Sequence, residues 1–162
     1  QYLVDYLNKT ERADLKRIYA TGGSSGGLFC YRLAKETQLF AAIGPTKCGM
    51  IKGSHEPDSN ITPLSVMQVI GNQDKSFNGS NKRLTMYSAE QRIKIWRSFL
   101  KCNPKPSINT KIKDMTIKTY VNDEGLEVVY CMLHGIGHAI PRHIIPIMDE
   151  MIVGFFLRHK KH

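Results

Sequence analysis

No stretch of the 162 residues approaches the roughly 18 consecutive apolar residues that a membrane-spanning helix requires. The expectation is therefore a soluble globular chain with no membrane partner. The opening segment Gln1-Tyr2-Leu3-Val4-Asp5-Tyr6-Leu7 lacks a basic start, a long apolar core and a small-residue cleavage site, so it is not read as a signal peptide. Closely spaced cysteine pairs are missing too. Cys30, Cys48, Cys102 and Cys131 lie too far apart for a C-x-x-C zinc or redox motif, and neither metal nor cofactor is expected. Neither G-x-x-x-x-G-K-[ST] nor G-x-G-x-x-G occurs, which removes the common phosphate-cradling loops. No repeat or low-complexity tract interrupts the chain. Acidic residues are scarce, 14 against 23 basic ones, for a net charge of +9. The basic residues are dispersed, however, and the densest run, Arg158-His159-Lys160-Lys161-His162, reads as a frayed, solvated tail, so no nucleic-acid partner is expected.

With 41% hydrophobic residues, the length suits one compact domain over residues 1–162. Leu3, Tyr6 and Leu7 recur at helical spacing, and Arg17–Thr21 is a short β-favouring run. Six residues from Gly22 to Gly27 punctuate that strand before a helical mix over Leu28–Glu36. Phe40–Gly44 and Leu64–Ile70 read as further strands separated by a long polar excursion. Ser88 opens a helix, with Gln91 placed to complete a capping box and Ile93, Trp96 and Leu100 as its apolar stripe. Ile117–Val121 and Glu127–Leu133 flank turn residues and predict a hairpin. In the last helix Ile144, Met148, Met151 or Ile152, and Phe155 mark the face that must pack on a sheet. Strands alternating with helices imply an α/β architecture with a mainly parallel sheet covered on both faces.

Gly22-Gly23-Ser24-Ser25-Gly26 fits G-x-S-x-G between a strand and a helix, the context of a nucleophile elbow in an α/β-hydrolase fold. A serine displayed above the sheet needs a sharp turn, and small flanking residues avoid backbone collisions there. An alcohol is a weak nucleophile, so Ser24 requires a base and a third group to orient that base. In this fold the order is Ser, then acid, then His. Asp74 follows the third strand and His138 the last, which makes them the acid and base. His138 ranks above His134, read as packing against its strand, and His143, read as opening the last helix. His55 is out of order, and His159 and His162 belong to the tail. Ser25 contributes its backbone N–H to an oxyanion hole. The second donor belongs to a loop after an earlier strand that has no room here. Either the chain is part of a longer protein or a partner chain supplies that loop.

With these residues placed, the chain resembles the esterases that include polyhydroxybutyrate depolymerases, feruloyl esterases and related acetyl xylan esterases. Arg17–Gly27 resembles the family's elbow, Phe40–Pro45 its following strand, and Val69-Ile70-Gly71-Asn72-Gln73-Asp74 its acid-bearing turn. Phe77-Asn78-Gly79 is similar to Tyr-Asn-Gly, while Trp96 and Cys102 match a helix that carries Trp and ends near Gly-Cys. Gly135-Ile136-Gly137-His138-Ala139-Ile140-Pro141 resembles Gly-Gly-Gly-His-Ser-Trp-Pro, with Ile140 where the family commonly has Trp. The resemblance implies cleavage of carboxylic esters, small or polymeric (a polyester or a plant cell-wall polysaccharide), through an acyl-serine intermediate. It also implies that Gly23, Phe77 and Ile140 border the substrate. A prolyl-oligopeptidase-like peptidase shares the elbow and triad order, and a catalytically inert remnant or binding domain would keep the residues without the activity. Sequons at Asn8-Lys9-Thr10, Asn60-Ile61-Thr62 and Asn78-Gly79-Ser80 point towards secretion, where the cysteines could form two disulfides; buried reduced thiols account equally well for Cys30 and Cys131.

Overall fold

A computed structural model describes residues 2–10, 13–79 and 85–161. Ser80 of the third sequon and His162 of the basic run lie outside these residues. The element order is α1 (Tyr2–Lys9), β1 (Tyr19–Gly23), α2 (Ser25–Glu36), β2 (Ala42–Thr46), β3 (Ser65–Gly71), α3 (Ala89–Phe99), β4 (Ser107–Asn109), β5 (Met115–Val121), β6 (Glu127–Leu133) and α4 (Ile145–Leu157). The strands form one sheet in the order β1-β2-β3-β6-β5-β4. Its first four members run parallel, and β5 and β4 add an antiparallel end. The observed architecture is α/β, with helices on both faces. Three loops that follow parallel strands, after β1, β3 and β6, therefore emerge at one sheet edge, where sites of such folds gather.

β2 and β3 are buried along their whole length, which explains their largely apolar character, and the buried polar Gln68 within β3 accepts from Tyr31 and Arg92. One core joins α2 and α3 to the sheet around Tyr31, Ile43, Ile70, Trp96 and Val128. The other joins α4 around Met67, Val69, Leu133, Ile152 and Phe155. In α4 the buried positions include Met148, Ile152 and Phe155, with Met151 only partly buried, so Ile152 completes the stripe. Ser88 and Gln91 form the reciprocal capping box.

Several expectations are corrected. β1 and β2 each extend two residues further towards the site edge than their β-favouring runs, because parallel pairing of Gly22 with Pro45 and Gly23 with Thr46 carries the ladder past the apolar residues. β4, an exposed three-residue edge strand, had no apolar signal. α1 forms, but none of its residues is buried, and Tyr2, Leu3 and Tyr6 are exposed. Over its described residues, 158–161, the basic tail is not frayed. Arg158 binds Glu127 at 2.6 Å, His159 is buried against Phe155 and Ser65, and Lys161 donates to the carbonyls of Lys16 and Gln38. All four cysteines are free and buried.

Candidate active site

The elbow joins β1 to α2. Ser24 sits at the N-cap with φ 57° and ψ −119°, a left-handed backbone conformation that a side chain rarely adopts. Hydrogen bonds hold it there: the Ser24 N–H donates to the Thr46 carbonyl at 3.0 Å, and the Leu28 N–H donates to the Ser24 carbonyl at 3.1 Å. A Cβ at Gly22 would sit 2.7 Å from the Gly26 carbonyl carbon, so the turn closes only with glycine at 22. Position 26 is different, since a Cβ there meets open space; Gly26 is the backbone that a larger residue 22 would strike. Ser25 begins α2, where first-turn N–H groups have no intrahelical acceptor.

Asp74 lies in the turn after β3, with its side chain only 2% exposed. Its Oδ1 accepts from the Ser76 N–H at 2.8 Å and the Ser76 hydroxyl at 2.7 Å, and its Oδ2 faces His138 Nδ1 at 2.7 Å. Burial alone raises a carboxyl pKa, but the two Ser76 hydrogen bonds and His138 outweigh it and hold Asp74 below its ordinary value. An ionised carboxylate only accepts, so Nδ1 carries the hydrogen and Nε2 is left to accept. Nε2 lies 3.1 Å from Ser24 Oγ. The hydroxyl proton of Ser24 thus has a direct path to a ring whose far side is fixed by a buried anion.

The His138 loop is laced to the acid loop. The Gln73 N–H donates to the Ile136 carbonyl at 2.9 Å, and the Gly135 N–H donates to Asn72 Oδ1 at 2.8 Å. A Cβ at Gly71 would collide with the Ile136 carbonyl, so glycine there admits the close crossing of the two loops. Beneath the acid loop, Arg92 is fully buried. It donates to the Ser76 and Tyr87 carbonyls at 3.2 and 3.1 Å and to Gln68 Oε1 at 3.0 Å.

Ser24, Ser25, Asp74 and His138 line one cleft of about 480 Å³ together with Lys47, Cys48, Lys75, Ser76 and Met86. Gly23 and Ile140 line a neighbouring hollow of about 320 Å³, with Ile145 and Met148. Phe77 packs half-buried against the α2–α3 core and lines neither. His134 is not a packing residue: it is exposed and bonded to Thr116 at 2.8 Å, because it projects from the strand end beside β5. His143 does not cap α4, which Ile144 precedes. His55 is buried and held by the Ile51 N–H. Sequence reasoning did not single out Ser76, Lys47 or Arg92. Only Ser76 had a readable signal, an Asp followed two residues on by a hydroxyl and backbone N–H, the pattern of an Asx turn.

Solved structures with a similar fold include an esterase and peptidases. Esterase PE8 aligns with a TM-score of 0.55 at 13% identity over 94% of this chain and 56% of its own. An acylaminoacyl peptidase in complex with Z-Gly-Gly-Phe-chloromethyl ketone aligns at 0.58 and 14% identity over 99% of this chain and 27% of its own. The Pyrococcus horikoshii acylaminoacyl peptidase aligns at 0.54 and 15% identity over 97% and 26%. The chain therefore spans about half the length of the esterase and about a quarter of the peptidases. At these identities the likeness establishes the fold: the protein has the α/β-hydrolase fold. No family model and no curated protein matches the sequence.

Proposed function

We propose that the protein is a serine hydrolase that cleaves carboxylic esters through an acyl-serine intermediate. Ser24 Oγ attacks the ester carbonyl, His138 Nε2 takes the hydroxyl proton and returns it to the leaving alkoxide, and Asp74 holds the ring and stabilises its charged form. Water then attacks the acyl-serine by the same route, releasing the acid. The Ser25 N–H supplies one oxyanion donor. The observation that carries this reading is the continuous line Ser24–His138–Asp74 at 3.1 and 2.7 Å, assembled from three loops at one sheet edge. Polyesters and feruloyl or acetyl esters are the substrate classes that the motif resemblance suggests. Export belongs to the same proposal, and Asn8 and Asn60 are exposed.

The peptidase reading draws support from the acylaminoacyl peptidases among the similar folds. The test is mass spectrometry of the protein after exposure to a fluorophosphonate, alongside Ser24→Ala and His138→Ala. Labelling at Ser24 that needs His138 is the expected outcome; absence of labelling in folded protein would sink the proposal. Aryl esters assayed beside acylated peptides then separate esterase from peptidase.

A further inference from the structure

The cleft beside Ser24 is electrostatically one-sided. Among the described residues that line it, Asp74 is the single carboxylate, and both its oxygens are occupied by Ser76 and His138. Two ammonium groups line the same space, Lys47 from the loop after β2 and Lys75 from the loop after β3. Among the described residues neither lies within ion-pair distance of a carboxylate. A solvated lysine on an open face needs no explanation, but Lys47 is held differently. Its backbone adopts φ 50°, a conformation that costs a non-glycine residue about 1 kcal/mol or more and persists only where its surroundings enforce it. The Lys47 N–H donates to the Val69 carbonyl at 2.9 Å, which locks the turn. Its stem lies along the residue preceding the nucleophile: a Cβ at Gly23 would be 2.8 Å from Lys47 Cε and 3.3 Å from Nζ. Glycine at 23 therefore leaves the space in which this ammonium reaches the elbow.

We propose that Lys47 and Lys75 are specificity-determining residues that select esters bearing a carboxylate close to the scissile bond. The inference rests on the serine-hydrolase reading and adds the charge of its substrate. A cation in a partly enclosed cleft is worth more to an anion than one in bulk water, and a charge-assisted hydrogen bond from the ammonium orients it.

The test uses three p-nitrophenyl phosphonates that differ only in charge: one neutral, one with a terminal carboxylate on the phosphorus-bound alkyl arm, one with it on the alkoxy arm. In each, Ser24 Oγ forms a bond to phosphorus, p-nitrophenolate departs and His138 receives the proton, so a single turnover is read. The unmodified protein is expected to react at least about fivefold faster with a carboxylate-bearing phosphonate than with the neutral one. Lys47→Gln and Lys75→Gln are each expected to reduce that preference, read as the ratio of charged to neutral rates, and the double variant to abolish it, with an unchanged urea-denaturation midpoint reporting an intact fold. Lys105→Gln, beside the antiparallel end of the sheet, leaves the preference unchanged. The favoured arm tells whether the acyl or the alcohol part carries the charge. Equal rates for neutral and charged phosphonates, or a preference that survives the double variant, would overturn the inference and leave the hydrolase reading standing. Failure of all three to label folded protein would overturn both.

Discussion

Ser24 holds a backbone conformation that costs on the order of 1–3 kcal/mol, and its neighbours over-determine it through the Thr46 and Leu28 hydrogen bonds. Replacing the serine removes the nucleophile and leaves the same unfavourable dihedrals in place. Ser24→Ala is thus expected to abolish phosphonate labelling with a change in stability below about 1 kcal/mol, checked by urea denaturation beside the labelling assay. Asp74→Asn is subtler. An amide offers His138 Nδ1 a donor as readily as an acceptor, so the ring loses the tautomer that leaves Nε2 free. A fall in hydrolysis rate of about 10⁴-fold is expected, with the fold retained. Asp74 also reports pH: because its pKa lies below the ordinary value, it stays ionised at neutral pH and protonates only under acid conditions.

At the scale of elements, two of the three site loops are laced together above a buried guanidinium. Gly71 ends β3 where the Ile136 carbonyl crosses it. Gly71→Ala forces that carbonyl away, and overpacking of this kind costs about 1–3 kcal/mol. The displaced loop carries His138, so the labelling rate of Ser24 should fall together with the denaturation midpoint. Arg92 presents a complementary case. Its removal in Arg92→Leu takes a donor from the Tyr87 carbonyl, while the Ser76 carbonyl keeps the Gly79 N–H at 3.3 Å and the Gln68 side-chain oxygen keeps the Tyr31 hydroxyl at 3.1 Å. An acceptor left without its donor costs about 1–3 kcal/mol, so a loss of that size is expected in urea denaturation. An Arg92→Leu protein as stable as the parent would show that the guanidinium is dispensable to the acid loop.

Across the whole molecule, α4 and the segment after it are tied to β1 and the residues just before it. Tyr19 stacks on Phe156 at 4.8 Å and donates to the His159 carbonyl, while Glu127 gathers Arg158 and His159. Burial pushes the Glu127 pKa up, but hydrogen bonds from His159 and Arg158 prevail and hold it below the ordinary value. A depressed carboxyl contributes stability that is fully present above its unfolded pKa, about 4.3, and disappears as pH falls through the folded value. The stability gap between the parent and Glu127→Gln, measured by denaturation across pH, should be constant at neutral pH and close on acidification below about pH 4. A gap that widens in acid would contradict this tether. The cysteines give a second global readout: burial raises Cys30 to about 11 and Cys48 and Cys131 to about 12. Their thiols should resist a disulfide reagent at neutral pH in the native protein and react once it is unfolded.

The local record in the sequence was enough for the parts whose physics is local. The glycine-flanked serine between a strand and a helix marks the elbow, Ser88 and Gln91 cap their own helix, and the buried strands show as largely apolar runs. Chain order singled out Asp74, and chain order with the glycines at 135 and 137 singled out His138, because parallel strands deliver their loops to one edge. What the tertiary structure decided is contact across long separations: Ser24 meets His138 114 residues away, and His138 meets Asp74 across 64. Such distances depend on sheet register and on how closely two loops can cross. The tail reads as solvated because its charges are local and visible, whereas the Glu127 that pairs with Arg158 and His159 lies 31 residues back from Arg158 on a strand. Lys47 was one of many dispersed basic residues until β2 and β3 set its backbone beside the nucleophile. A charge acquires meaning from the dielectric and the partners around it, and only packing supplies those.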